Sequence, residues 1–92
     1  MAAQHMVTEH AVCALPGDHR DWRHLVIRVQ RRGATDRWLV TWGAYYLTAD
    51  GDWYPSMSRA VEYDEDEALI AADMVSKTVD VNGLTAADLL NR

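Results

Sequence analysis

The stretch RWLVTWGAYYLTADGDWYP, residues 37–55, decides the fold of this chain. Residues 37–47 alternate as a β-strand does, and both faces are largely apolar, which predicts a central strand that is covered on both sides. One face holds Trp38, Val40, Trp42, Ala44 and Tyr46, and the other holds Leu39, Thr41, Gly43, Tyr45 and Leu47. An Asp-Gly pair at residues 50–51 predicts a hairpin turn that returns through residues 53–54, and Pro55 ends the returning strand.

Strand patterns also precede this stretch. Residues 24–31 alternate, with Leu25, Ile27 and Val29 on one face, and residues 32–36 then read as a hairpin loop. Residues 7–15 favour β structure but alternate poorly, which indicates an edge strand that Pro-Gly-Asp at 16–18 interrupts.

The acidic run DEDE at residues 64–67 predicts the start of the main helix, with Asp64 as the N-cap. The helix should extend to about residue 77 or 78 and bury a stripe of small and branched side chains: Ala68, Ala72, Val75 and Val79. A short strand at 78–81, an Asn-Gly turn at 82–83, and a terminal helix capped by Thr85 and Asp88 should follow.

These patterns predict an α+β fold. An antiparallel sheet of three to four strands, in β-β-β-α order, is packed by one main helix and followed by a short C-terminal helix. The 92 residues should form one domain, with residues 1–6 as a flexible tail.

Composition excludes several classes of protein. A single cysteine, Cys13, rules out an internal disulfide and a cysteine-rich zinc site. No apolar run is long enough to span a bilayer, and the first residues lack the pattern of a signal peptide. We therefore expect a cytoplasmic protein that does not enter the membrane.

The net charge of −5 is unevenly distributed. Residues 1–47 hold six arginines against four acidic residues, whereas residues 48–92 hold ten acidic residues against three basic ones. Aromatic side chains on a sheet beside arginines can form a platform for single-stranded nucleic acid. Here that platform would use Trp38, Trp42 and Tyr46 with Arg28, Arg31, Arg32 and Arg37. The acidic balance and the need for a core favour a buried aromatic row instead.

Few residues suggest chemistry. Cys13 and His10 are three positions apart and would face opposite sides of a strand. Residues 18–24, DHRDWRH, contain two histidines and two aspartates, but their spacing matches no structural zinc site. The carboxylates at 64–67 could form an acid/base or metal cluster, but the start of a helix accounts for them. The DGD at 50–52 resembles part of a calcium loop but lacks its further ligands, so it is interpreted as a turn. The sequence therefore predicts no enzyme, cofactor or metal.

The outer side of the main helix carries a candidate protein interface. Ile70 and Met74 are four residues apart, so they stack as one apolar ridge between Asp73 and Lys77. Two explanations are open. Either the terminal helix folds over the ridge through Leu84, Leu89 and Leu90, or the ridge binds a second copy of the chain or a host protein.

Three segments carry a resemblance to a known group of proteins: WGAYYLTADGDWYPSMSR at 42–59, YDEDEAL at 63–69 and VNGLTAAD at 81–88. The pattern of an Asp-Gly-x-Trp hairpin followed by an amphipathic helix resembles small uncharacterised accessory proteins of actinobacterial phages and their hosts. The resemblance covers about half the chain. It implies an accessory protein acting in the bacterial host cytoplasm, and it implies no catalytic residue.

Together these observations favour a non-enzymatic phage or actinobacterial accessory protein that binds another protein. The first alternative is a small nucleic-acid-binding module that uses the arginine-rich strand pair and the aromatic sheet face. A weaker alternative is a metal-binding protein or an enzyme centred on residues 18–24.

Overall fold

One antiparallel sheet and one long helix dominate residues 7–91, the part of the chain that the computed structural model describes. The sheet strands lie side by side in chain order: β1 (Glu9–Val12), β2 (Ile27–Arg31), β3 (Trp38–Trp42), β4 (Tyr45–Leu47) and β5 (Trp53–Tyr54). The remaining elements are α1 (Trp22–Leu25), a 3-10 turn (Met57–Arg59), α2 (Glu65–Ser76), the hairpin β6 (Asp80–Val81) and β7 (Leu84–Thr85), and α3 (Ala86–Leu90). The predicted α+β class is confirmed, with five strands in the sheet instead of three or four. The predicted tail, residues 1–6, lies outside the described residues.

The long strand predicted in the tryptophan-rich stretch is in fact two strands joined by a two-residue turn. Gly43 has a φ of 57°, a conformation that glycine adopts without the clash a Cβ would cause. The turn pairs Trp42 with Tyr45 and Thr41 with Tyr46. Since paired residues share a face, Tyr46 lies on the face opposite Trp42, contrary to the prediction.

The strand predicted over residues 24–31 begins only at Ile27, because the residues before it form the single helical turn α1. Among the strands of residues 7–91, β1 pairs only with β2 and is an edge strand, as predicted. The predicted Asp-Gly hairpin is also confirmed, since Leu47 pairs with Trp53 across it.

The core lies between one face of the sheet and α2. Ala68 and Ala72 on α2 have no exposed surface, and their small side chains let the helix lie close to β2 and β3. Trp38 is 4% exposed and belongs to this core, whereas Trp42 is partly buried and packs against it. The N-cap is as predicted, because the Asp64 carboxylate accepts a hydrogen bond from the Glu67 amide at 2.8 Å.

Residues 60–63, the return segment, close the gap where β3 and β4 separate. Trp38 and Tyr63 exchange two backbone hydrogen bonds, of 2.8 and 2.9 Å. At the other end of the segment, Ala60 bridges Thr48. The return segment thereby acts as a short additional strand beside β3 and leads directly into α2.

The predicted C-terminal features are present. Asn82 and Gly83 both take positive φ, at 53° and 78°, and connect β6 to β7. Thr85 and Asp88 form a reciprocal capping box at the start of α3.

Candidate interaction surface

The outer ridge, which we define as Ile70 and Met74, follows from how α2 packs. The alanines that face the sheet fix the rotation of the helix, so residues on the opposite side are directed away from the core. Ile70 is 62% exposed and Met74 is 66% exposed. They are the two most exposed large apolar side chains of the described residues, and they lie one helical turn apart.

Charged residues border the outer ridge. The Lys77 ammonium lies 3.6 Å from the Asp73 carboxylate, and both side chains are largely exposed. Asp66 and Glu67 are exposed at the opposite end of α2. Along the outer side of the helix, acidic side chains at the N-terminal end are followed by the two apolar side chains, with Asp73 beside them, and then by Lys77 at the C-terminal end.

Sequence reasoning placed Ile70, Met74, Asp73 and Lys77 on this surface but missed Glu67. That residue was assigned only to the electrostatics of the helix start. Its position three residues before Ile70 was the signal that it also belongs to the exposed face.

The terminal helix does not cover the outer ridge. Ala86 and Leu89 of α3 are buried in the core cluster, and Leu90 is about half exposed. Of the two explanations for the ridge, packing beneath α3 is therefore wrong.

Hydrogen bonding at the start of α2 shifts the pKa values of the Asp64 and Glu67 carboxyl groups in opposite directions. The Glu67 amide lowers the pKa of Asp64, because its hydrogen bond stabilises the charged form. The Asp64 carboxylate in turn raises the pKa of Glu67 through a side-chain hydrogen bond and through its negative charge. Burial, followed by the charge of Glu67, raises the pKa of Tyr63.

Two of the arginines proposed for nucleic acid binding lie on different faces of β2. Arg28 is paired opposite Thr41 and contacts the Glu9 carboxylate at 3.1 Å. Arg31 is paired opposite Trp38, and its guanidinium lies 6.0 Å from that ring's centroid. The sheet therefore does not bring these two guanidinium groups to one surface.

The other two arginines share one carboxylate. Arg32 forms an ion pair with Glu62, and Arg37 lies 3.8 Å from the same carboxylate. Arg37 also donates a 3.0 Å hydrogen bond to the Glu62 carbonyl oxygen. These contacts neutralise part of the charge that a phosphate would otherwise meet.

The proposed aromatic platform is also divided. Trp38 is buried, and the Trp42 indole donates a 2.9 Å hydrogen bond to the His24 carbonyl oxygen. Tyr46 lies on the other face of the sheet, as described above. The three aromatic side chains do not form a continuous exposed row.

Of residues 18–24, the first four form a turn and the last three belong to α1. His19 Nδ1 accepts a 3.1 Å hydrogen bond from the Asp21 amide, which ties the histidine to its own loop. Elsewhere, His10 Nε2 lies 2.7 Å from the Glu65 carboxylate, and Cys13 Sγ lies 3.8 Å from the Trp22 carbonyl oxygen. Within residues 7–91, no group of three or more His, Cys, Asp or Glu side chains is arranged to hold a metal ion, and no pocket is formed.

Among the described helices, none combines the length and the apolar character needed to cross a membrane. No protein-family model, curated protein or solved structure matches this chain.

Proposed function

We propose that this protein is a non-enzymatic binding protein that recognises another protein through the outer ridge of α2. The observation that carries the proposal is the exposure of Ile70 and Met74, one turn apart, on a helix whose opposite face is buried against the sheet through Ala68 and Ala72. Scattered apolar residues are normal on a protein surface, whereas adjacent ones on a rigid element favour contact with a partner.

Two properties of the outer ridge suit protein binding. Its backbone is already ordered as a helix, so docking costs little conformational entropy beyond that of the side chains. The unbranched thioether of Met74 also adapts to an irregular surface.

The biological setting of this proposal comes from the sequence resemblance. We place the protein in the cytoplasm of an actinobacterial host, as an accessory protein of that host or of its phage. The resemblance to phage and host accessory proteins is what supports this setting.

Affinity capture from an actinobacterial lysate that also holds the untagged protein tests the proposal, because the captured partner can then be a second copy of the chain or a host protein. The immobilised protein is compared with the double variant Ile70→Glu/Met74→Glu, before and after nuclease treatment. We expect a protein that survives nuclease to be retained by the wild type and lost from the variant.

The matched control is Met57→Glu/Leu90→Glu, which also replaces two exposed apolar side chains and adds the same charge away from the outer ridge. It should retain the partner. Circular dichroism confirms folding, and Ile70→Ala/Met74→Ala replaces the Glu variant if that variant unfolds. Equal capture by the folded ridge variant and the control would contradict the proposed surface.

A further inference from the structure

The exposed side of α2 has the spacing of a helix–helix seam. Glu67, Ile70, Met74 and Lys77 follow one another at intervals of three, four and three residues. Apolar residues at such alternating intervals are what bring two helices together in a coiled coil. All four side chains are exposed, so the seam is available for contact.

The ends of this seam carry opposite charges. Glu67 stands at its N-terminal end and Lys77 at its C-terminal end, with the apolar pair between them. A parallel pair of identical helices would place each charge against its like. An antiparallel pair would place each charge against its opposite, which is electrostatically favourable.

We propose that the partner recognised by the outer ridge is a second copy of this chain, with the two α2 helices packed antiparallel about a twofold axis. This inference rests on the proposed function. Ile70 of one copy then faces Met74 of the other, and Glu67 faces Lys77 twice, once on each side of the axis. The same surface patch serves both copies, as a twofold interface requires.

Lys77 can serve this contact while it remains near Asp73 of its own chain. Its ammonium has three donors, and its side chain is 69% exposed. The lysine therefore has donors left for Glu67 of the second copy.

The helix length indicates a weak dimer. With 12 residues, α2 is about 18 Å long, at about 1.5 Å per residue. A seam of this length buries less surface than the 1,200–2,000 Å² that is roughly typical of stable complexes. The copies should exchange between monomer and dimer as the concentration changes.

Sedimentation equilibrium across about 1 µM to about 1 mM covers the range in which a weak complex forms. The wild type should show a concentration-dependent dimer. Glu67→Lys alone or Lys77→Glu alone should raise the dissociation constant about tenfold, because two exposed ion pairs become repulsions.

Two further samples test the antiparallel arrangement directly. The double variant Glu67→Lys/Lys77→Glu should dimerise like the wild type. An equimolar mixture of the two single variants should also dimerise, because one chain then supplies two lysines and the other supplies two glutamates. Asp50→Lys and Arg20→Glu make the same charge changes away from α2 and should leave the dissociation constant unchanged.

Folding is checked separately by circular dichroism on dilute monomer. Both single changes oppose the helix dipole, so the double variant should have the least stable monomer even though its dimer is restored. A dissociation constant that is unchanged by all these charge changes would contradict the antiparallel arrangement. A wild type that stays monomeric throughout would overturn the second-copy inference. Loss of lysate capture by the ridge variant would still support the proposed function in that case.

Discussion

Gly43 is the residue on which the pairing of β3 with β4 depends. Its φ of 57° disfavours any residue with a Cβ, although an added Cβ would meet no atom within 4 Å. We expect Gly43→Ala to lower the free energy of unfolding by about 1–2 kcal/mol, the usual cost of a left-handed backbone. Urea denaturation measures the change.

Gly17→Ala is the control for that substitution. A Cβ at Gly17 also meets open space, and no positive φ applies there. The free energy of unfolding of Gly17→Ala should stay close to that of the wild type. An equal decrease for Gly17→Ala and Gly43→Ala would contradict the role assigned to Gly43.

The stability of the protein should depend more on Trp38 than on Trp42. It is almost completely buried, so Trp38→Ala should cost about 3–5 kcal/mol, a large share of the stability of a small protein. Trp42→Ala should cost less, because Trp42 is only partly buried. Thermal unfolding measures both, and a Trp38 variant with an unchanged melting temperature would contradict its place in the core.

At the level of elements, the close packing of α2 on the sheet depends on alanine. Ala72 has no exposed surface, so Ala72→Leu must displace the helix or its neighbours and should cost about 1–3 kcal/mol. Ala87→Leu places the same side chain on an exposed site of α3 and should have little effect. Chemical denaturation of the two variants provides the comparison, and a similar cost for both would show that α2 does not need a small residue there.

The N-cap of α2 should make stability depend on pH. Folding lowers the pKa of Asp64, so its contribution is complete above the ordinary carboxyl range and is lost as pH falls through the lowered pKa. Glu67 has a raised pKa and acts in the opposite direction, so the comparison uses a Glu67→Gln background. In that background, Asp64→Asn keeps a side-chain oxygen that can cap the helix but removes the titrating carboxyl group. The difference in melting temperature between Glu67→Gln and Glu67→Gln/Asp64→Asn should become smaller as the solution becomes acidic. A difference that stays constant with pH would contradict the lowered pKa of Asp64.

Elements with a local signal could be predicted from the sequence, whereas those that depend on distant pairing could not. Asp64 marks the start of α2, and the Asn-Gly turn at 82–83 marks the end of β6. Each can be recognised from a few neighbouring residues. The turn at Gly43 lies within an apolar run that lacks polar turn residues, so the run read as one strand. The return segment was missed because its partner, Trp38, is far away in the sequence.

The candidate surface shows the same limit. The helical spacing of Ile70 and Met74 placed them together on the outer side of α2. Whether they were exposed depended on where α3 packs, which is a tertiary property that no local pattern contains.

The charge of the whole molecule predicts weak binding to DNA. The net charge is −5, and three of the four arginines in question sit beside acidic side chains. Fluorescence anisotropy with a short duplex at physiological salt should give no more than non-specific affinity, about 10⁻⁴–10⁻⁶ M. A sequence-selective nanomolar complex would contradict this expectation.

The return segment has a consequence for protein engineering. Because Trp38 and Tyr63 are hydrogen-bonded to each other, residues 39–62 form a stretch of chain whose two ends are held together by these bonds. The exposed tip of that stretch, at Asp50 and Gly51, is remote from these bonds. Lengthening a flexible loop costs only about 0.6 kcal/mol per doubling. A short epitope tag inserted at this tip would therefore leave α2 in place, so a reporter can be attached without touching the proposed interaction surface.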